Sequence, residues 1–323
     1  MKHKIIDTFL GFTIGDALGV PVEFISREVL NENLVKGMRA FGTHQQPAGT
    51  WSDDSSLALC LAEALCTGYD LNAIAKNFVR WYEEAFWTAH DKVFDVGIAT
   101  AQAITRLNQG DSPFTSGNRA ENSNGNGSLM RIMPLIFYIK DKDITTRFRL
   151  VAEVSAITHA HIRSILSCFI YTEFALELLE GVEKNAAYRN TQQKVNAFLS
   201  DHEICDELEK HKFHRILENP YGDYEIRPLL DYAESEIVSS GYVLHTLEAS
   251  LWCFLKHNSY ADTVLAAVNL GGDSDTTGCV TGGLAGLYYG HTGIPEAWIE
   301  LLAKKEEITA LAQRLHRAVE YLQ

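Results

Sequence analysis

The 323-residue sequence predicts an all-α, multi-helix bundle on three observations. Apolar residues recur at helical spacing along most of the chain, alternating strand patterns are few and short, and proline is scarce, at 7 residues. From Leu57 the apolar positions run Leu57, Cys60, Leu61, Ala64 and Leu65, the i, i+3, i+4, i+7, i+8 stripe of a helix that faces a core. Similar stripes occupy 71–86, 96–107, 162–179, 243–255, 263–270 and 280–288, and a last one closes the chain at 306–322. Residues 1–10 begin basic and turn apolar, but Asp7 and Asp16 interrupt the run and no small-residue cleavage site follows. This reads as a first helix rather than a signal peptide. No uninterrupted apolar stretch of membrane-spanning length is found.

Composition narrows the function. The chain is 46% hydrophobic, ample for a buried core, and its length fits one large domain or two ordinary ones. We expect one domain over 1–323, with the polar, mixed-charge segment 181–240 as a variable insertion. The net charge of −14 argues against non-specific nucleic-acid binding and against an anionic membrane surface, both of which need a basic face. It suits a site that gathers carboxylates around divalent cations. The six cysteines contain no CxxC pair, which disfavours a zinc ribbon or a thioredoxin-type motif, and most sit among apolar residues. A reducing cytoplasm is the expected compartment.

Three segments rich in Gly, Ser, Asn and Asp, at 42–54, 111–128 and 271–278, are where function is expected on such a scaffold. Ser52-Asp53-Asp54 precedes the Leu57 stripe. It is good capping chemistry and equally a hydroxyl with two carboxylates, hard oxygen ligands for Mg²⁺. Asp273-Ser274-Asp275-Thr276 has the same ingredients before the Val280 stripe. An EF-hand starting at Asp273 fails, because its twelfth position is Leu284 where a bidentate Glu is needed. If the two acidic starts converge, like charges about 4 Å apart repel by roughly 1 to 4 kcal/mol at surface-like dielectrics, which cations would relieve. Glu23, beside Pro21 after a glycine-marked helix end, is a further candidate for metal ligation or proton handling. The turn Gly125-Asn126-Gly127-Ser128 is no Walker loop, yet as the opening of a helix it would present amides to a phosphate. His159 and His161, two apart on a helix, would face different ways and lack further ligands for zinc.

Taken together, these motifs resemble the ADP-ribosylglycohydrolase family, in its dinitrogenase reductase-activating and ADP-ribosylarginine hydrolase branches. The matching stretches are 15–24, 49–65, 124–134, 158–161, 241–255 and 270–290, in the family's order and across nearly the whole chain. The resemblance implies a compact all-α bundle with a binuclear Mg²⁺ centre in a cleft. Mn²⁺ accepts the same oxygen ligands. It implies that Ser52, Asp53, Asp54, Asp273, Asp275 and Thr276 are metal ligands, and that Glu23, Asp53 and Asp275 carry catalysis. By the same resemblance Gly125, Asn126, Gly127 and Ser128 hold the diphosphate, His159 lies near the bound ADP-ribose, and Asp95 faces the guanidinium of an arginine-linked substrate. Ser52 stands where many members carry Thr, and the hydroxyl is kept. Asp95 is equally readable as a cap of the helix after Val96.

The implied reaction is hydrolysis of the glycosidic bond in an ADP-ribosylated protein, releasing ADP-ribose. Other linkages (serine, O-acetyl-ADP-ribose, nucleic acid) are alternatives within that class. Two rivals come from other classes. A two-metal phosphohydrolase would release phosphate or AMP. A non-catalytic immunity protein would bind ADP-ribose or a transferase toxin as its partner.

Overall fold

A computed structural model describes residues 1–218 and 227–321. Residues 219–226, part of the polar 181–240 segment, and Leu322, the end of the last stripe, lie outside the described residues. Among the described residues there are helices and no strands. Only isolated bridges pair extended backbone: Phe41 with Gln46, Asn118 with His159, and Gly125 with Tyr242.

In chain order the helices are α1 (Lys2–Gly19), α2 (Arg27–Glu32), α3 (Asp53–Leu65), α4 (Leu71–Glu84), α5 (Ile98–Asn108), α6 (Ile136–Ile139), α7 (Ile144–Ala156) and α8 (Ile162–Leu179). They continue as α9 (Lys184–Asp201), α10 (Glu207–His211), α11 (His214–Leu217), α12 (Val243–Lys256), α13 (Tyr260–Asn269), α14 (Ser274–Tyr289), α15 (Glu296–Leu301) and α16 (Lys305–Tyr321). The stripes at 162–179 and 243–255 locate α8 and α12 almost to the residue. The stripe at 280–288 places α14 too late, because Asp273 takes the N-cap and the helix starts at Ser274. The 181–240 segment opens with the long helix α9, whose Ala187, Val195, Phe198 and Leu199 are buried. Lys184, Thr191 and Gln192 are buried on the same helix, so its inner face is mixed rather than purely apolar.

The middle of the protein is built on α1 and α14. By length and mean hydropathy alone, residues 2–22 would suffice to cross a membrane, but here 94% of the apolar 18-residue window within them is buried inside the protein. The two helices touch backbone to backbone through glycines spaced four apart, Gly11, Gly15 and Gly19 on α1 against Gly278, Gly282 and Gly286 on α14. A Cβ on Gly15 would lie 2.1 Å from the carbonyl oxygen of Gly278, and one on Gly282 would lie 2.4 Å from that of Gly11. Residues four apart share one helix face, so each helix presents a groove with no side chain in it. Helices α3, α12, α13 and α16 pack around this pair. A continuous apolar core joins Phe9 and Ile14 of α1 to Leu57 of α3, Phe174 of α8, Leu251 of α12 and Leu311 of α16.

Gly15→Ala adds one methyl where backbone already stands. The expected result is destabilisation of about 3 kcal/mol or more, at the upper end for overpacking, read from urea unfolding of the variant beside the wild type.

Candidate functional site

The site begins with a carboxylate inside the apolar helix α1. Asp16 is fully buried, and its oxygens accept the N–H groups of Ser52 (2.9 Å) and Ser55 (3.0 Å) and the Ser55 hydroxyl (2.6 Å). It thereby satisfies amides at the start of α3 that have no partner within their own helix. Ser52 is the N-cap, as expected for capping chemistry. Its hydroxyl accepts the Asp54 N–H at 3.3 Å and donates to Asp54 Oδ2 at 2.8 Å. The start of α14 arrives from the other side, and Thr276 Oγ1 donates to the same Asp54 oxygen at 3.4 Å. The two acidic helix starts therefore converge, although 222 residues separate Thr276 from Asp54.

Two groups of carboxylates result. Asp16, Asp54 and Asp275 place one oxygen each within 4.8 Å of one another, and Glu23, His44, Asp95 and Asp275 do likewise with one ligand atom each. Asp275 belongs to both. Asp53, Asp273 and Thr276 fall outside these two groups and line the cleft above them, whereas Ser52, Asp54 and Asp275 lie beneath its floor. The site residues that sequence reasoning did not single out are Asp16 and His44. An Asp among the apolar residues and glycines at the end of α1 was the available signal for the first. His44, bonded through Nε2 to the Glu23 carboxylate, had none.

Burial and mutual repulsion make these acids weak. Burial first, then the charges of Asp95 and Asp273, push Glu23 up to about 10. Burial pushes Asp16 up to about 7 against the pull of its hydrogen bonds. Asp53, Asp54 and Asp275 are raised well above the ordinary range, again chiefly by burial and then by the surrounding carboxylates: Asp54 first for Asp53, Asp16 first for Asp54 and Glu23 first for Asp275. Asp54 Oδ1, Asp273 Oδ1 and Asp275 Oδ2 are buried without any hydrogen-bond partner among the described residues. Asp54 and Asp275 converge with Asp16 in one small volume, and unpartnered carboxylate oxygens there are the donor set a hard divalent cation requires, so the residues fit a metal centre.

The cleft has a volume of about 560 Å³. The turn at 125–127 and His159 form part of its wall. This turn opens no α-helix. Asn126 and its neighbours form a bridge and a tight turn, and the next helical element is a short 3₁₀ segment at Met133–Leu135. Gly125 pairs with Tyr242 instead. The helix-end contribution expected for phosphate binding is thus missing, and what remains is local amides. Asn126 donates to Asp273 Oδ2 at 2.9 Å and to Thr246 at 2.9 Å, linking the turn to the acidic group. The Ser128 hydroxyl points into the core, where it accepts from Ser155 at 2.9 Å. Thr158–His161 is likewise a connection between α7 and α8, not helix. His161 caps α8 by accepting the Arg163 N–H at 3.1 Å. Asp95 is no cap, since Gly97 holds that position before α5. Asp95 sits at φ 53° and faces Glu23.

In a metal-free protein, Asp16 and Glu23 bind protons that the unfolded chain has already released. Their stabilising effect is complete below about pH 4 and is lost as pH rises through about 7 for Asp16 and about 10 for Glu23. With a chelator present, thermal unfolding is expected at lower temperature at pH 8 than at pH 6. Millimolar Mg²⁺ should raise both midpoints, the one at pH 8 more.

Comparison with known proteins agrees with this architecture. The chain matches the ADP-ribosylglycohydrolase family over residues 1–322. It is 32% identical over 315 residues to the ADP-ribosylarginine hydrolase Tri1 of Serratia proteamaculans, covering 97% of this chain and 78% of that protein. It is 25% identical to the ADP-ribosyl-[dinitrogen reductase] glycohydrolase of Rhodospirillum rubrum, covering 95% and 92%. A solved structure described as an ADP-ribosylglycohydrolase-related protein complex superposes with a TM-score of 0.80 at 31% identity, over 98% of each chain. By this full-length match and these relatives, the chain belongs to the ADP-ribosylglycohydrolase family and is a hydrolase of glycosidic bonds.

Proposed function

We propose that this protein removes ADP-ribose from arginine side chains of modified proteins, with two divalent cations, Mg²⁺ or Mn²⁺, as cofactor. The observation that carries the reading is the set of unpartnered oxygens on Asp54, Asp273 and Asp275 at and beneath a cleft that the 125–127 turn also lines. Asp54 and Asp275, with Ser52, Asp53, Asp273 and Thr276 about them and Asp16 behind, would hold the cations. When bound, these supply Lewis-acid polarisation of ribose hydroxyls and a more acidic water.

The chain's own groups do the remaining work. The water oxygen bonds to the ribose C1″ as the C1″–N bond breaks through an oxocarbenium-like state. Glu23 gives a proton to the leaving guanidino nitrogen and recovers one from the water, and His44 orients its carboxylate. Asp95, on the cleft wall beside Glu23, pairs with the guanidinium. This placement favours arginine over serine-linked, O-acetyl or nucleic-acid-linked substrates, and the name of the Serratia relative points the same way. A site this rich in acids supports catalysis over a binding-only immunity role. All six cysteines are free thiols, which suits the cytoplasm as its compartment.

Release of ADP-ribose from an arginine-ADP-ribosylated protein should require Mg²⁺ or Mn²⁺ and stop with a chelator. Phosphate or AMP as product would overturn the reading. Asp53→Asn and Asp275→Asn should stay folded and lose activity by at least about 100-fold, more than the loss typical of groups one step removed from a metal. Asp95→Ala should raise KM for the arginine-linked substrate while leaving any serine-linked activity unchanged. Equal kinetics on arginine would remove Asp95 from recognition.

A further inference from the structure

Behind the 125–127 turn lies a cation that none of the chemistry above uses. Arg131 is fully buried and pairs with no carboxylate among the described residues. Its guanidinium lies 4.8 Å from the Phe78 ring centre and donates to three oxygens. Those are the Gly127 carbonyl at 2.5 Å, the Thr158 hydroxyl at 2.8 Å and the Val154 carbonyl at 3.1 Å. Burying a guanidinium without an anion is costly, so an arrangement that keeps one suggests a purpose beyond packing.

We infer that Arg131 and Thr158 are positioning residues that fix one tautomer of His159, so that its Nε2–H donates into the cleft toward the anionic part of the ligand. The direction of each bond follows from what each group can do. A guanidinium has donors only, so the Thr158 oxygen accepts from Arg131. The Thr158 hydroxyl proton then has one acceptor in reach, Nδ1 of His159 at 2.7 Å. The opposite tautomer, with its proton on Nδ1, would leave that hydroxyl proton buried and unpaired. Burial and the nearby Arg131 hold the His159 imidazole down at about 3, so it is neutral and carries its one proton on Nε2.

That nitrogen faces the ligand space. Nε2 lies 3.3 Å from where a Cβ of Gly125 would stand and 3.4 Å from one on Gly127, and His159 lines the cleft. The same guanidinium holds the Gly127 carbonyl at the back of the turn, and because a trans peptide sets its N–H opposite its carbonyl, the Ser128 N–H is turned away from the cation. A neutral donor backed by a buried cation recognises an anion without becoming an acid that could be titrated. The inference rests on the reading that the cleft takes ADP-ribose, whose diphosphate would receive the donor.

The test is a long-range ¹H–¹⁵N correlation spectrum of the full chain with ¹⁵N-labelled histidine, His159→Asn serving to assign the signals. In the wild type at pH 7 the His159 proton is expected on Nε2. Thr158→Ser, which keeps the hydroxyl, should keep that pattern, and Thr158→Val should lose it. By calorimetry, Thr158→Val should weaken ADP-ribose binding by about 10- to 100-fold, the effect of one hydrogen bond to a charged group, with Thr158→Ser restoring it. A proton on Nδ1 in the wild type, or unchanged ADP-ribose affinity in a folded Thr158→Val, would overturn the inference. If Thr158→Val does not fold, the wild-type spectrum decides alone. A wild type that shows the Nε2–H pattern yet binds no ADP-ribose would sink the ligand assignment and leave the tautomer assignment standing.

Discussion

The bare backbone contact between α1 and α14 is the constraint on which the rest of the protein hangs. A Cβ on Gly19 would lie 2.3 Å from the backbone of Asp275, so the C-terminal end of α1 lies against the N-terminal end of α14. That contact brings Asp16, three residues earlier on α1, to the same place. Asp16 in turn holds the first amides of α3, and α3 brings Asp53 and Asp54. One helix pair thus fixes three acidic elements from opposite ends of the chain. Tyrosines lock the pair from outside: Tyr260 donates to the Gly11 carbonyl and Tyr171 to that of Val280.

The charge pattern follows from this geometry. The carboxylates at and beneath the cleft are kept from full ionisation by burial and by neighbouring carboxylates. The 125–127 turn that lines the same cleft is backed by the buried Arg131, which bonds the Gly127 carbonyl. Asn126 joins the two, since its side chain donates to Asp273. Acids and a buried cation thus stand behind neighbouring parts of one wall.

Much of this was legible in the sequence. The apolar stripes placed α8 and α12, and the paired Ser-Asp-Asp and Asp-Ser-Asp starts marked where the acids would meet. The glycines at spacing four on both α1 and α14 were also readable, as two matching rows of residues with no side chain. Other features were not. Stripe periodicity reports burial and not capping, so it set the start of α14 six residues late. A Gly-Asn-Gly-Ser run reads alike as a turn or as a helix opening, and only the pairing of Gly125 with Tyr242, far along the chain, decides for the turn. His44 comes to Glu23 through a loop whose path is set by tertiary packing. Gly42 in that loop sits against the Pro21 carbonyl, where any Cβ would stand 1.9 Å away. The charge of Arg131 was in plain sight, but that it is buried without an anion is a property of the fold alone.

The floor and the rim of the cleft differ in how freely they can vary. The floor sits on helix starts wedged against a backbone contact with no spare room, where most substitutions would disturb the core as well as the chemistry. The rim is made of loop residues and the first turn of α5, with Phe24 69% and Ile98 79% exposed and Asp95 on the segment before α5. Phe24 and Ile98 are largely exposed, and Asp95 is the one of the three that reaches the acids below. A lineage built on this plan can exchange one target for another by altering a handful of surface positions, while its reaction is inherited intact. Diversity of recognition and permanence of chemistry are then two outcomes of the same uneven distribution of packing.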